Sequence, residues 1–260
     1  MDRKDLLALL RASTMDVVGQ YAQVAVAYSG GLDSSIVAKL AGEIADVTFY
    51  TCSAEKSSDR ASTEIHERLD GRDIRLIVLS SQDISSYVAK VGAEFESVNP
   101  VQIAYTIPVM AVIDRADEHL VLVGNGADEL FGGYAKYLKA MDPRLEMDRD
   151  LRKMLSESAK LQKYASCRGK VVGFPMATKE VISFAEQIPV EEKLGPLGRK
   201  LILRDAARLL GIKASDRPKK AAQYSSGIMR EMERLAKEKK QTLAEWTRER
   251  VEKGRQPINT

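Results

Sequence analysis

The feature that most constrains this chain is an apolar run that halts at a pair of glycines. Val24-Ala25-Val26-Ala27-Tyr28 reads as a buried strand and leads directly into Ser29-Gly30-Gly31-Leu32-Asp33-Ser34-Ser35. From Ser34 to Glu43 the apolar residues Ile36, Val37, Leu40 and Ala41 then recur at helical spacing. Strand, glycine-rich turn and helix in this order place a tight loop at the carboxyl end of a strand. Glycine tolerates the torsions such a loop needs, so that successive N–H groups can point into one concavity. The first turn of the helix adds unpaired N–H groups and its positive end. That combination suits a polyphosphate. Ser29, Ser34 and Ser35 add hydroxyl donors. Asp33 would repel phosphate by itself, and is expected instead to hold a Mg²⁺ that bridges phosphate oxygens.

The same alternation continues downstream. Val47–Thr51 reads as a second strand, Ser62–Leu69 as a helix and Ile74–Leu79 as a third strand. Helical patterns follow over Ile84–Phe95 and Val101–Ala116, with Pro108 an expected kink. Leu120–Val123 is a fourth strand. A further helix over Asp5–Val18 precedes the first strand. Strands separated by helices predict a parallel sheet with right-handed crossovers, and uniformly apolar strands predict that both of its faces are covered. After Tyr134 the chain reads as mostly helical. Helices are expected over Asp142–Lys163, Lys200–Leu210 and Met229–Arg255, with a break at Gly195-Pro196-Leu197-Gly198. We therefore expect an α/β core over residues 1–135 and a helical C-terminal lobe over 136–260 that completes the same domain.

Composition narrows the function classes. The 260 residues are 44% hydrophobic and 30% charged, which is ordinary for a globular chain. Cys52 and Cys167 are far apart and form no Cys-x-x-Cys, which argues against a disulfide framework or a zinc ribbon. With only His66 and His119, a His-based triad or a His-rich metal centre is not expected. No apolar run is long enough for a signal peptide or a membrane span, so a cytoplasmic protein is expected. The net charge of +3 is too small to argue for nucleic acid. Met229–Arg255 holds nine Lys/Arg against six Asp/Glu, but the signs interleave at helical spacing, as in Glu233 with Lys237 and Glu249 with Lys253. That pattern predicts a solvated helical face with i,i+4 pairs.

The second motif, Gly124-Asn125-Gly126-Ala127-Asp128-Glu129-Leu130-Phe131-Gly132-Gly133-Tyr134, follows the fourth strand. It lies at the same carboxyl edge as Ser29, where open parallel sheets bind ligands. Asp128 and Asp33 are therefore expected to converge on one metal–pyrophosphate group. The competing reading of Asp128 and Glu129 is the acidic first turn of a helix.

The first motif has neither the Walker A pattern nor a dinucleotide fingerprint. It resembles the pyrophosphate loop of the ATP pyrophosphatases, which include GMP, NAD, argininosuccinate and asparagine synthetases and the tRNA-thiolating enzymes. The second motif is similar to the G-x-G-[AS]-D-E-L-F-G-G-Y signature of asparagine synthetases and β-lactam synthetases. Lys200-Leu201-Ile202-Leu203-Arg204-Asp205-Ala206 resembles the family's K-x-x-L-R-x-A helix. Arg217-Pro218-Lys219-Lys220 resembles its basic turn, and Val172–Met176 with Ile182–Pro189 its R-x-P-F-L-D stretch.

The resemblance spans about residues 20–230 and implies the nucleotide α-hydrolase fold. It also implies an ATP- and Mg²⁺-dependent ligase that activates a carboxylate as an acyl-adenylate. Ser29, Gly30, Gly31, Leu32, Ser34 and Ser35 would hold pyrophosphate, and Asp33 and Asp128 would bind Mg²⁺. Lys219 would stabilise charge on the reacting groups. Ala27, Tyr28, Thr51, Cys52 and Ser53 would flank the adenosine. Gly124, Asn125, Gly126 and Glu129 would face the substrate and adenylate. Cys52 is expected to be a packed residue rather than a nucleophile.

Three departures bear on the reaction. Glutamine-dependent members carry a catalytic cysteine after the initiator Met, whereas this chain has Asp2 and reaches its loop at residue 29. Nitrogen is thus expected as free ammonia, from a separate glutaminase subunit or from another amine. Bacterial asparagine synthetases usually carry Glu where this chain has Asn125, which can hydrogen-bond but cannot accept a proton. Val171–Met176 lacks the usual Arg and Asp. Aspartate with ammonia is the leading substrate pair. The alternatives are another ATP pyrophosphatase chemistry on a small molecule or tRNA, a nucleic-acid-binding role, or a non-catalytic ATP-binding protein. Thiolation would call for paired cysteines near the site. The three intact residues Asp33, Asp128 and Lys219 argue for turnover.

Overall fold

The structure is a computed structural model and describes residues 3–57, 74–196, 198–212 and 226–255. The expected helix over Ser62–Leu69, the basic turn with Lys219 and Leu197 of the break fall outside these residues. Five strands, β1 (Gln23–Ala27), β2 (Asp46–Ala54), β3 (Ile74–Leu79), β4 (Leu120–Leu122) and β5 (Val171–Gly173), form one sheet in the order β3-β2-β1-β4-β5. Each of the registers β1 with β4, β4 with β5 and β2 with β3 is parallel. The expected strands are all present. β5 was not anticipated: Val171–Met176 reads only as a divergent motif, and the strand takes just three of its residues.

The chain gathers into two compact units, Met1–Thr48 with Asp117–Lys219 and Phe49–Ala116 with Lys220–Thr260. In the first unit, β1 and β4 are fully buried along Val24–Val26 and Leu120–Leu122, as apolar strands covered on both faces should be. Helix α1 (Arg3–Val18) packs against α2 (Leu32–Ala41). It reaches β5 where Gly173 lacks a side chain: a Cβ there would lie 2.4 Å from Val17 Cγ1.

In the second unit, β2 pairs with β3 from Phe49 opposite Ile74 to Ala54 opposite Leu79. Helix α3 (Ser81–Glu94) begins at a capping box in which Ser80 accepts from the Asp83 N–H and Asp83 accepts from the Ser80 N–H. Helix α4 (Pro100–Arg115) has Pro at its first position, the Asn99 side chain as its cap, and runs on through Pro108.

The end of the chain corrects the sequence reading. Met229–Arg255 is two helices rather than one, Ile228–Glu238 and Leu243–Arg255. Lys240 adopts a left-handed φ of 56°, which ends the first helix. A second capping box, Thr242 with Glu245, starts the next. Nor is the face fully solvated. Glu231 is buried, where it accepts from Arg234 and from the Ser81 hydroxyl. The Glu249–Lys253 pair is present as expected. The expected break at residues 195–198 is a small antiparallel hairpin, Leu194–Gly195 with Gly198–Arg199. Among the described residues no helix is long and apolar enough to cross a membrane.

Candidate active site

The loop after β1 is knitted by its own hydroxyls. The Ser29 N–H donates to Ser34 Oγ at 3.3 Å, and Ser34 Oγ donates to the Gly31 carbonyl at 3.2 Å. The Gly31 N–H donates to Ser29 Oγ, and the Tyr28 and Ser35 hydroxyls lie 3.2 Å apart. Gly30 carries the turn at a φ of 67°, where a side chain would be strained. Helix α2 starts at Leu32, two residues earlier than the pattern predicts, with Gly31 as N-cap and no side-chain cap. Asp33 therefore sits in the first helical turn, while Ser34 and Ser35 are buried beneath it. Ser29 and Gly31 face solvent, Leu32 is half-buried, and Ala27 is the last residue of β1.

After β4 the second motif turns sharply. Gly126, at a φ of 97°, caps a short helix, Ala127–Phe131, and Gly132, at 76°, ends it. Asp128 and Glu129 do occupy the first turn of this helix. Gly124 presses against the first loop: a Cβ there would lie 3.0 Å from Asp33 Cβ and 3.1 Å from the Ser34 nitrogen. Asn125 beside it is half-buried.

The two motifs meet at a residue to which the sequence reading gave no role. Lys200 Nζ lies 2.5 Å from Asp33 Oδ1 and 2.7 Å from Asp128 Oδ1, with its side chain 4% exposed. Burial disfavours its ammonium, but Asp128 and then Asp33 outweigh burial and hold its pKa above the ordinary lysine value. Lys200 is the first letter of the K-x-x-L-R-x-A motif, whose apolar spacing by itself reports only a helix. The helix is there, Leu201–Leu209, with Lys200 as its N-cap.

Gly133 leaves the room for this triad. A Cβ on it would fall 1.7 Å from Asp128 Oδ1 and 2.5 Å from Lys200 Cε.

Glu129 is buried and accepts from the Tyr134 hydroxyl at 2.6 Å. Burial, reinforced by the charge of Asp128, pushes its carboxyl up to about 7. The cavity beside Glu129 is mixed: Leu130, Met147, Leu151 and Ile188 line it together with Arg144, Asp148, Glu186 and Lys193. Tyr134 is pushed up as well, by burial and then by the Glu129 charge.

Of the residues expected at the adenosine, Ala27 and Tyr28 lie at the end of β1 in the first unit, and Thr51, Cys52 and Ser53 lie in β2, within the second unit. Thr51, Cys52 and Ser53 are buried, and Ser53 Oγ donates to the Ser226 carbonyl. Burial pushes the Cys52 thiol up to about 12, which suits a packed residue and not a nucleophile.

The donor set fits the expected metal. Asp33 and Asp128 present two carboxylate oxygens within 2.7 Å of one point, where a cation is already accommodated. Among the described residues no group of three or more His, Cys, Asp or Glu is poised to hold a metal. One or two carboxylates completed by phosphate oxygens and water is the usual provision for Mg²⁺.

A parallel sheet of this order, with a glycine-rich loop and paired acids at its carboxyl edge, defines a nucleotide α-hydrolase of the ATP pyrophosphatase type. The sequence profile described as "Asparagine synthase" matches residues 5–173 and 146–258. The chain belongs to the asparagine synthase family. It is 30% identical over 271 residues to a protein of Methanocaldococcus jannaschii named as an asparagine synthetase (glutamine-hydrolyzing), across 88% of this chain and 50% of that one. It is 35% identical over 129 residues to the bovine asparagine synthetase domain-containing protein 1, across 44% of this chain and 20% of that one. The chain thus spans half the length, or less, of these relatives. The NMN synthetase structure from Francisella tularensis aligns with a TM-score of 0.42 at 14% identity, over 100% of this chain and 98% of that one.

Proposed function

We propose that this protein is an ATP- and Mg²⁺-dependent carboxylate–amine ligase that activates its acceptor as an acyl-adenylate and releases AMP and pyrophosphate. The observation that carries the proposal is the meeting of Asp33 and Asp128 across two loops at one cation position. Such a position serves ATP cleavage between the α- and β-phosphates, because charge builds on the departing pyrophosphate. Bound there, Mg²⁺ supplies Lewis-acid neutralisation of that charge. The loop from Ser29 to Ser35 would bind the pyrophosphate through backbone N–H groups at the start of α2. Gly124 lets the second motif close onto Asp33 and Ser34, and Gly126 lets it close onto Ala177, which brings Asp128 beside Asp33. Glu129, buried and held by the Tyr134 hydroxyl, would orient the short helix that carries Asp128.

Aspartate and ammonia are the substrates we favour, with ammonia taken directly or from a separate glutaminase. Asn125 can position an incoming amine by hydrogen bonding but leaves its proton to another base. Lys219 is proposed to stabilise the reacting charges.

The test is pyrophosphate release from ATP and Mg²⁺ across a panel of carboxylic acids, with and without ammonium. We expect aspartate-dependent release and asparagine formation, and a loss of roughly 100-fold or more in Asp33→Asn and Asp128→Asn. Wild-type rates in either folded variant would refute the metal assignment. Release with another acid would move the substrate but keep the chemistry.

A further inference from the structure

We propose that Lys200 is the built-in counter-cation of the metal site: in the nucleotide-free protein its ammonium bars free Mg²⁺ from Asp33 and Asp128, so that metal enters with the nucleotide. The inference rests on the reading of these two acids as metal ligands. It starts from position. The ammonium bridges both carboxylates, at 2.5 and 2.7 Å, whose side chains are only 20% and 18% exposed. A lysine that merely packed nearby would need neither contact.

The backbone fixes it there. Lys200 holds a left-handed φ of 57°, which costs a non-glycine residue and persists only where its surroundings demand it. Arg199 donates to the Gly133 carbonyl at 2.6 Å, which ties the residue before Lys200 to the second motif. The Arg204 N–H donates to the Lys200 carbonyl at 2.8 Å, and Arg204 Nε donates to the Arg199 carbonyl at 2.9 Å. The lysine is thus anchored on both sides at the mouth of the metal position.

Charge then decides the order of events. A bare divalent cation reaching the two acids must expel the ammonium, leaving a buried positive charge without its partners, which is strongly unfavourable. A metal that arrives on ATP brings phosphate oxygens with it, and these give the displaced ammonium new partners. Exchange is therefore favourable with the nucleotide and unfavourable without it.

The probe is Mn²⁺, followed by the loss of its free-ion electron paramagnetic resonance signal, with circular dichroism to confirm folding. Without nucleotide, the wild type and Lys200→Arg should bind Mn²⁺ weakly, and Lys200→Met should bind it at least about tenfold more tightly. Adding Asp128→Asn to Lys200→Met should remove the gain. Should Lys200→Met fail to fold, Lys200→Gln removes the same charge and should show the same gain. Equal affinity in a folded neutral variant and the wild type, or tight Mn²⁺ binding by the wild type without nucleotide, would overturn the inference. Mn²⁺–ATP binding separates the two levels. If Asp33→Asn and Asp128→Asn bind it as tightly as the wild type, the metal reading itself fails. If they lose it while the neutral Lys200 variants gain nothing, only the counter-cation falls.

Discussion

Replacing Gly133 with alanine should damage the site through one added carbon. The backbone tolerates the change, since Gly133 is not among the residues with positive φ. The space does not: the new Cβ would lie 1.7 Å from Asp128 Oδ1 and 2.5 Å from Lys200 Cε, against about 3.5–4.0 Å for carbon in comfortable contact. Backbone movement is restrained, because the Gly133 N–H donates to the Asp128 carbonyl at 2.7 Å. Asp128 must rotate away, and its contact with Lys200 breaks. Overpacking costs about 1–3 kcal/mol, and loss of one partner from a buried pair about 3–5 kcal/mol. Asp33 still faces the lysine, so we expect a net loss of about 2–4 kcal/mol, lowering Tm by on the order of 10 °C. Thermal unfolding by circular dichroism measures it, and a double-mutant cycle isolates the cause. With Asp128→Ala in the background the main obstacle is gone, and Gly133→Ala should cost less than about 1 kcal/mol. An undiminished cost in that background would refute the steric account.

Two further changes follow from the same structure. Glu129 titrates higher in the folded protein, at about 7, than in a free chain. The folded state therefore binds more protons between the two values, and this residue erodes stability as pH rises through that window, by on the order of 3 kcal/mol. Glu129→Gln keeps an acceptor for Tyr134 and should be relatively more stable above pH 7, with no advantage below about pH 4; a gain that did not grow with pH would count against the burial argument. Thr242→Ala removes the cap of the last helix and should cost about 1 kcal/mol in denaturant unfolding, whereas no measurable loss would show the capping box to be dispensable.

Much of the fold lay open in local pattern. The apolar runs at Val24, Val47, Ile74 and Leu120 each gave a strand, because a run buried on both faces needs only its own residues to be recognised. β5 escaped because three residues carry no periodicity, and it became a strand only through pairing with β4. The last two helices ran together because both halves keep helical spacing across Lys239–Thr242. The stop is a left-handed torsion at Lys240, a residue type that does not announce one. Glu231 looked like part of a solvated face, and tertiary packing buried it against Arg234 and Ser81.

The candidate site divides in the same way. The sequence by itself determined the two loops, their place at the carboxyl ends of strands, and the acids they carry, since each is a contiguous word of strand, glycine turn and helix. Only the tertiary structure decided that Lys200, 167 residues beyond Asp33, is the cation between them. It also decided that Gly133 must be bare to admit that cation, and that the two compact units are each assembled from separated stretches of chain. Periodicity and turn chemistry report neighbours along the chain. A contact between distant residues is fixed by the shape into which the whole sheet and its helices pack, and no short window of sequence contains it.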